Sequence, residues 1–162
     1  PKPVVAAING HAIAGGCVLA CAADRRLMAR ESGRIGITEL RVGVPFPVIA
    51  LEIMRHATAP QRFEELVLGA ATYPPDEGVA LGLVNEVVDP AALLDRAVAA
   101  AARLGELGPD AFALTKRQTR QVVADRVAVD GPRHDPEVDR IWSTPAAAGR
   151  IRDYVARTLK KG

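Results

Sequence analysis

Short apolar runs in the first part of the chain and helical stripes in the rest predict a mixed α/β front followed by a mostly helical back. Residues 3–8 form a short, partly β-branched apolar run, and residues 9–10 (Asn-Gly) end it. This pattern predicts a buried strand stopped by a turn. Residues 15–16 (Gly-Gly) lead into the apolar run 17–23, which predicts a helix buried on nearly every side. Two further short strands are predicted around a turn, at residues 26–29 and 34–37.

Apolar spacing and proline positions predict the first helices of the back half. Residues 48–54 have helical spacing, and Pro60 suits the first position of a second helix. The buried stripe of that second helix is predicted to be Phe63, Leu66 and Val67.

Turn signals divide the remaining sequence. Asp76 is predicted to cap a short helix that ends at Gly82, before the strand-like run 83–88. Residues 89–90 (Asp-Pro) combine a cap with a proline at the first helical position. One buried face is expected on the helix that follows, made of Leu93, Leu94, Ala97, Val98, Ala101 and Leu104.

Three more helices are predicted after this point. One runs from Pro109 towards Val127, and a short one starts at residues 135–136. Residues 131–134 (Gly-Pro-Arg-His) are predicted to be an exposed loop between them. The last helix begins at residues 144–145 (Thr-Pro), and its inward face is predicted to be Ile151, Tyr154 and Val155.

Composition predicts an ordered protein in the cytoplasm. The 162 residues are 49% hydrophobic and 25% charged, which suits one packed core with an appended helical element. No run approaches the roughly 18 apolar residues of a membrane span, and no signal segment opens the chain. Residues 1–3 lack a methionine and lead directly into a predicted strand, so we expect a fragment of a longer protein.

Charge and metal-binding residue types exclude several function classes. The net charge of +2 is spread along the chain, so nucleic acid is not the expected partner. Cys17 and Cys21 are four residues apart, which matches neither a redox pair nor a zinc motif, and buried thiols are expected. His11, His56 and His134 lack metal-binding spacing, so no metal is expected and structural or surface positions are predicted.

The glycine-containing turn at residues 9–17 is the first candidate for chemistry. A turn between a buried strand and a buried helix presents unpaired backbone N–H groups at the positive end of the helix dipole, where anions are stabilised. The spacing fits neither a Walker A loop nor G-x-G-x-x-G, which disfavours nucleotide phosphate. By pattern alone, two glycines before a helix indicate close packing more often than an active site.

Several separated segments, taken together, carry a resemblance to a known family. Residues 2–17 (KPVVAAINGHAIAGGC) with Asp24, residues 37–43 (ITELRVG) and residues 81–88 (LGLVNEVV) follow one another in the family's order. Leu114-Thr115-Lys116 and the closing helix extend the match over essentially the whole chain. The sequence resembles the crotonase (enoyl-CoA hydratase/isomerase) superfamily, and within it mitochondrial-type enoyl-CoA isomerases of fatty acid β-oxidation.

The resemblance implies an α/β fold in which residues 1–89 are the C-terminal part of a spiral of β-β-α turns. Residues 90–162 would be a helical region used for oligomerisation, as a homotrimer or hexamer. The implied ligand is an acyl-CoA thioester, with no cofactor apart from the coenzyme A of the substrate and no membrane partner. Lys160 and Lys161 are weaker candidates for contacts with the CoA phosphates, and a solvated terminus is the alternative.

The resemblance also assigns roles to residues. Glu39 matches the catalytic glutamate, and Gly15 matches the position whose backbone N–H is one of two oxyanion-hole donors. The other donor belongs to an earlier segment outside this chain, so we expect the isolated 162 residues to be inactive. Ala14, Gly16, Val18 and Phe46 are the remaining candidate substrate-binding residues, with ordinary core packing as the alternative for Phe46.

Val18 decides between the two main reactions of the family. Hydratases carry a glutamate at that position, where it cooperates with the second glutamate to activate water. Valine can neither accept a proton nor orient water, which favours a single-base isomerase that moves the double bond of a 3-enoyl-CoA. The alternatives are a hydratase or another acyl-CoA reaction, or a non-catalytic acyl-CoA-binding relative, a few of which bind RNA.

Overall fold

The computed structural model describes residues 1–31 and 33–158, and the lysine pair Lys160–Lys161 lies outside them. Six short strands form two three-stranded sheets in this part of the chain: β1 Val5–Ile8, β2 Ala12–Ile13, β3 Arg25–Ala29, β4 Ile35–Gly36, β5 Thr72–Tyr73 and β6 Glu86–Val88. One sheet has the order β1-β3-β6 and is parallel throughout. The other has the order β2-β4-β5, in which β2 and β4 are parallel and β5 is antiparallel to β4.

Helices make up most of the rest of the described chain. Seven are α-helices: α1 Gly15–Cys21, α2 Val48–Ala57, α3 Pro60–Gly69, α4 Pro75–Ala80, α5 Leu93–Gly105, α6 Pro109–Trp142 and α7 Pro145–Thr158. Two short 3₁₀ helices span Glu39–Val42 and Pro90–Ala92. The predicted strands and helices of the front half are therefore confirmed as elements: β1 and β4 are shorter than predicted, β3 is one residue longer, and β2 was not predicted.

Local signals correctly predicted two helix starts. Pro60 opens α3, and Phe63, Leu66 and Val67 are buried as expected. Asp89 caps the next helical segment, because its carboxylate accepts a hydrogen bond from the Ala91 amide at 2.8 Å.

The sheet β1-β3-β6 separates two apolar clusters. Alternate side chains of a strand point to opposite faces, so Met28 packs into the larger cluster with α1, α2 and α3. Leu27 and Ala29 pack on the other face, against α5. The core is thus a layered arrangement in which helices cover both faces of a parallel sheet.

The predicted burial of two helices was wrong on part of their surface. In α1, Leu19 is 76% exposed, because the helix packs on β2, β3 and α2 from one side only. In α5, the buried face consists of Leu93, Ala97 and Ala100, whereas Leu94 and Val98 are exposed. Apolar residues cover a wider arc of each helix than the face that packs, so their pattern does not specify which part of that arc is covered.

The predicted loop at residues 131–134 and the separate helix after it were also wrong, because α6 continues through them to Trp142. Packing of α6 along α2 compensates for the cost of Pro132 and Pro136 inside a helix. Asp135 contributes directly, since its carboxylate accepts a hydrogen bond from the Val48 amide at 2.9 Å at the start of α2.

The predicted cap of α4 was wrong as well. Pro74 occupies the N-cap position, and Asp76 lies inside the first turn with no capping hydrogen bond. The sequence signal therefore identified the helix but misplaced its start by two residues.

Asp24 joins the start of the first sheet to α6. Its Oδ1 accepts from Arg120 at 2.7 Å, and its Oδ2 accepts from the Lys116 Nζ at 2.6 Å and from the Val4 amide at 2.8 Å. Because the side chains of Asp24 and Lys116 are only 16% and 11% exposed, water competes weakly for these bonds.

We expect Asp24→Asn to lower the free energy of unfolding of the full-length protein by about 2 kcal/mol, because it leaves two partly buried cations without their counter-charge. Urea unfolding gives the measurement. Asp76→Asn is the matched control, since Asp76 is 75% exposed and pairs with Arg30 at 3.5 Å, and a change within about 0.5 kcal/mol is expected there. Equal effects of the two substitutions would contradict the anchoring role of Asp24.

Candidate active site

A cavity of about 310 Å³ lies beside Glu39, between the sheet β2-β4-β5 and the helix α7. Three parts of the chain build it. Residues around β2, β4 and β5 form the floor, the 3₁₀ segment at residues 38–44 forms one wall, and Trp142 with α7 forms the roof. Its lining residues are His11, Ile13, Ala14, Arg34, Thr38, Glu39, Val42, Val44, Thr72, Trp142, Ile151, Tyr154 and Val155.

The floor follows from strand alternation. His11 and Ile13 are two residues apart on one side of the β2 segment, and Arg34 lies next to the start of β4. Thr72 is opposite Gly36 in the register of β4 and β5. Gly36 is required there, because a Cβ atom at this position would lie 2.2 Å from the Ala71 carbonyl oxygen.

Ala14 is held in a strained backbone conformation at the entrance to α1. Its φ is 54° and its ψ is −127°, a region that residues with a Cβ atom rarely adopt and that costs about 1–3 kcal/mol. The Ala14 amide donates to the Gly36 carbonyl at 2.9 Å, which fixes the turn against β4. Strain of this kind is concentrated at functional sites, and Ala14 lines the cavity.

The two glycines after Ala14 open α1 with free space around them. A Cβ atom on Gly15 or Gly16 would meet nothing within 4 Å, so packing within the described chain does not require glycine at either position. Their amides belong to the first turn, where no preceding turn of the helix supplies a carbonyl acceptor. Close packing among the described residues therefore does not explain this pair.

Glu39 is a buried carboxylate without a complete set of partners. It begins the 3₁₀ helix after Thr38, is 6% exposed and lines the cavity. Its Oε2 atom is buried and has no hydrogen-bond partner among the described residues. Such an atom is costly in a folded protein unless a ligand or water uses it.

Burial raises the pKa of Glu39 above the ordinary value of a glutamate, and nearby backbone amides of residues 38 and 39 oppose that shift only in part. The neighbouring thiol responds to the same charge. The pKa of Cys17 is raised by its hydrogen bond with Cys21, by burial and by the negative charge of Glu39. The negative charge of Glu39 therefore acts on a thiol of α1.

Hydrogen bonds hold the roof of the cavity on the Glu39 segment. The Arg150 side chain of α7 donates to the Val42 carbonyl at 2.8 Å and to the Gly43 carbonyl at 3.2 Å. Trp142 Nε1 donates to the Pro45 carbonyl at 2.8 Å. Through these bonds, residues more than 90 positions apart along the sequence enclose one space.

The structure brings some of the sequence-predicted site residues to the cavity and not others. Ala14 and Glu39 line it, and Gly15 and Gly16 follow directly at the start of α1. Val18 and Phe46 are buried in the larger core cluster instead, so their contact with substrate stays a prediction.

Sequence reasoning missed other residues of the cavity. His11 and Arg34 were assigned no role there, although His11 lies in the candidate glycine-containing turn and Arg34 begins a predicted strand. Thr72 and Trp142 had no local signal, because only the tertiary structure brings them to Glu39.

The described part of the chain contains neither a metal-ligand cluster nor a membrane-spanning helix. Among residues 1–31 and 33–158, no three His, Cys, Asp or Glu side chains are grouped so as to hold a metal ion. No helix in these ranges combines the length and apolarity that a membrane crossing requires.

Comparison with known families and proteins agrees with the resemblance. The family model described as "Enoyl-CoA hydratase/isomerase" matches residues 1–131. A putative enoyl-CoA hydratase of Thermus thermophilus is 37% identical over 116 residues, which are 72% of this chain and 45% of that protein. A probable enoyl-CoA hydratase, EchA17, of Mycobacterium tuberculosis is 34% identical over 138 residues, 83% of this chain and 52% of that protein. The chain thus spans about half the length of the curated relatives it matches.

Solved structures give the same result for the fold. Human mitochondrial delta3-delta2-enoyl-CoA isomerase superposes with a TM-score of 0.84 at 26% identity, covering 98% of this chain and 62% of that one. An apo enoyl-CoA isomerase of Mycobacterium tuberculosis superposes with a TM-score of 0.71 at 32% identity, covering 80% of this chain and 60% of that one. The predicted α/β, crotonase-like fold class is confirmed.

The raised pKa of Glu39 predicts a pH-dependent loss of stability. Below the ordinary pKa of glutamate, both folded and unfolded states hold the proton and the carboxyl has no electrostatic cost. As the pH rises from there towards the raised pKa of the folded state, the unfolded state releases its proton first. The wild-type protein therefore loses stability across this window, and Glu39→Gln, which cannot ionise, does not.

We expect the full-length Glu39→Gln variant to be more stable than wild type by about 1–2 kcal/mol at about pH 8, with a smaller difference at about pH 4. Urea unfolding at several pH values tests this. Glu52→Gln is the matched control: Glu52 is also buried, at 8% exposed, but it accepts from Arg55 at 3.0 Å and Arg126 at 3.1 Å. That substitution should destabilise the protein, and a loss of stability in both variants would show that the Glu39 carboxylate is satisfied in the folded state.

Proposed function

The chain belongs to the enoyl-CoA hydratase/isomerase family, and we propose that it carries the catalytic base of an enzyme that converts 3-enoyl-CoA to trans-2-enoyl-CoA. The choice of this reaction over the others of the family rests on one observation. Among the described residues that line the cavity, Glu39 is the only carboxylate. A reaction that needs one base therefore fits this cavity better than a reaction that needs two.

The reaction requires one group that removes a proton and returns it. The Glu39 carboxylate would take a proton from C2, and the electron pair of that C–H bond would form a double bond between C1 and C2 while the carbonyl electrons move onto the thioester oxygen. When the carbonyl re-forms, the C1–C2 pair becomes the new double bond between C2 and C3, and the electrons of the original C3–C4 double bond take up the proton at C4 from the same carboxyl group. Protons and electrons balance without water or an external acid.

The environment of Glu39 supports this role. Because burial raises the pKa of Glu39, its carboxylate is a stronger base than an exposed glutamate. The Oε2 atom has no hydrogen-bond partner among the described residues, so no donor from them weakens that oxygen as a base. General acid–base catalysis by a well-placed side chain contributes about 10²–10⁴-fold to rate.

Negative charge that develops on the thioester oxygen needs hydrogen-bond donors. The Gly15 amide is the candidate in this chain, since it lies in the first turn of α1 next to Ala14 of the cavity. The open space around Gly15 and Gly16 supports room for a thioester there. One such donor contributes about 3–4 kcal/mol to transition-state stabilisation.

Val18 and the roof support isomerisation over hydration. Val18 is 9% exposed and packs in the core cluster, so no second carboxylate follows the glycine pair to activate water. The roof of Trp142 and α7 places further apolar side chains over the cavity, including Ile151. Restricting water protects a dienolate from side reactions.

Enoyl-CoA hydration is the second candidate, because curated relatives such as the Thermus thermophilus and Mycobacterium tuberculosis proteins are named enoyl-CoA hydratases. A hydratase would need a group other than Val18 to orient water.

We also propose that the full-length protein forms a homotrimer or hexamer, supported by the exposed leucine and valine side chains of the helical back half, such as Leu94 at 69% and Val98 at 60%.

We expect the full-length protein to isomerise 3-hexenoyl-CoA and to hydrate trans-2-hexenoyl-CoA at a negligible rate. Glu39→Gln should reduce isomerisation by about 10³-fold, since the base is lost while the shape of the side chain is kept. Formation of the conjugated 2-enoyl thioester, followed by ultraviolet absorbance, measures the first reaction and its disappearance measures the second.

Glu52→Gln provides the control, because Glu52 is a buried glutamate that does not line the cavity. Its variant should keep most of the isomerase rate. Hydration as fast as isomerisation in the wild type would favour the second candidate, and an unchanged rate in Glu39→Gln would refute the single-base mechanism.

A further inference from the structure

Three polar residues form a connected cluster on the floor of the cavity, away from the proposed reaction centre. We call His11, Arg34 and Thr72 the polar cluster. All three line the cavity. The Arg34 amide donates to His11 Nδ1 at 3.1 Å, and the Arg34 Nε donates to the Thr72 hydroxyl at 2.8 Å. A second bond joins the Arg34 guanidinium to the Thr72 carbonyl.

These hydrogen bonds determine which donor groups of the polar cluster remain available to a ligand. Because His11 Nδ1 accepts a hydrogen bond, the proton of the neutral ring is on Nε2, which makes Nε2 a donor. The guanidinium has five N–H groups, and two of them bond to Thr72. The other three have no hydrogen-bond partner within residues 1–31 and 33–158. The cluster is therefore rich in solvent-exposed donors that have no acceptor among the described residues.

Its positive charge is also uncompensated. Arg30, four residues earlier, pairs with Asp76, and Arg25 pairs with Glu86. No carboxylate of the described residues lies within ion-pair distance of the Arg34 guanidinium. An arginine with a planar set of free donors is well suited to bind a carboxylate through two parallel bonds.

His11 and Arg34 lie at the end of the β2–β4 pairing opposite to Ala14, whereas Thr72 is opposite Gly36 and holds the Arg34 side chain. Ala14 follows His11 by three residues, which corresponds to about 10 Å along an extended strand. Apolar side chains such as Ile13 and Val44 line the same cavity. A ligand that spans it therefore meets a thioester site at one position, apolar surface, and cationic donors at another.

We propose that the cavity accepts acyl chains that carry a carboxylate at the end distant from the thioester, and that Arg34 and His11 bind this carboxylate. The inference rests on the proposed function in so far as the ligand is an acyl-CoA. His11 and Arg34 are exposed, so water serves their free donors when the acyl chain ends in a methyl group, whereas a terminal carboxylate gains charge-assisted hydrogen bonds from the guanidinium.

The test is a binding measurement with saturated thioesters that cannot react. Suberoyl-CoA and octanoyl-CoA have the same chain length and differ in one terminal carboxylate. For the full-length protein we expect suberoyl-CoA to bind about tenfold more tightly in isothermal titration calorimetry, with the preference falling as salt is added. Equal or weaker binding of suberoyl-CoA by the wild type would overturn the proposal without any variant.

Two variants locate the effect. Arg34→Gln should remove the preference for suberoyl-CoA and leave octanoyl-CoA affinity within about twofold. His11→Gln, at an exposed side chain, should reduce the preference by about threefold and provides a second route if Arg34→Gln does not fold. Arg30→Gln is the matched control, since Arg30 is an exposed arginine that does not line the cavity, and it should change neither affinity.

A further measurement distinguishes binding of the acyl carboxylate by Arg34 from binding of the phosphates of coenzyme A. If Arg34→Gln weakens suberoyl-CoA and octanoyl-CoA equally while leaving octanoyl-pantetheine unchanged, Arg34 binds CoA phosphate and the proposal is wrong. Because saturated thioesters report binding alone, a protein that shows the predicted preference but no isomerase activity would refute the proposed reaction and still support this inference.

Discussion

The parallel pairing of β2 with β4 is the constraint on which the arrangement of the site depends. These two strands are only two residues long in each case, yet every group proposed for chemistry is positioned from their ends. At one end, the Ala14 amide donates a hydrogen bond to the Gly36 carbonyl where the chain enters α1. The segment that follows β4 leads to Glu39. At the other end, the same pairing brings His11 next to Arg34. A shift of one residue in this register would separate Glu39 from the start of α1 and reverse which side chains face the cavity.

Residues that matched the family without an evident role have a structural explanation. Asp24 and Lys116 are 92 positions apart and form an ion pair at the edge of the first sheet. Asn85 accepts from the Arg26 amide at 2.8 Å, and the buried Arg26 side chain bonds to the Leu83 carbonyl at 3.0 Å. These contacts hold the segment 81–88 against β3. Part of what made the sequence recognisable is therefore the set of polar bonds that position the sheet, and not the chemistry of the site.

Sequence reasoning succeeded where the signal was local and failed where partners were distant. Pro60 and Asp89 identify helix starts through their own backbone chemistry, and both were placed correctly. The continuity of α6 through Pro132 depends on packing against α2, which no local pattern contains. The same distinction between local signals and distant partners applies to the residues of the candidate active site. Glu39 and Ala14 were found because they lie in recognisable segments, whereas Thr72 and Trp142 join the cavity only through tertiary contacts.

The small apolar cluster beneath α7 has a consequence for motion. Val42, Val44 and Ala147 form a cluster separate from the two that support the sheet β1-β3-β6, and α7 adds the Arg150 bonds to it. Because few apolar contacts are lost when α7 detaches, this opening costs less free energy than unfolding of the core. Local detachment of α7 would therefore open the cavity while the sheets remain intact. Exchange of ligand with solvent is then governed by the local stability of one helix, a property that sequence changes in α7 can adjust independently of the reacting groups.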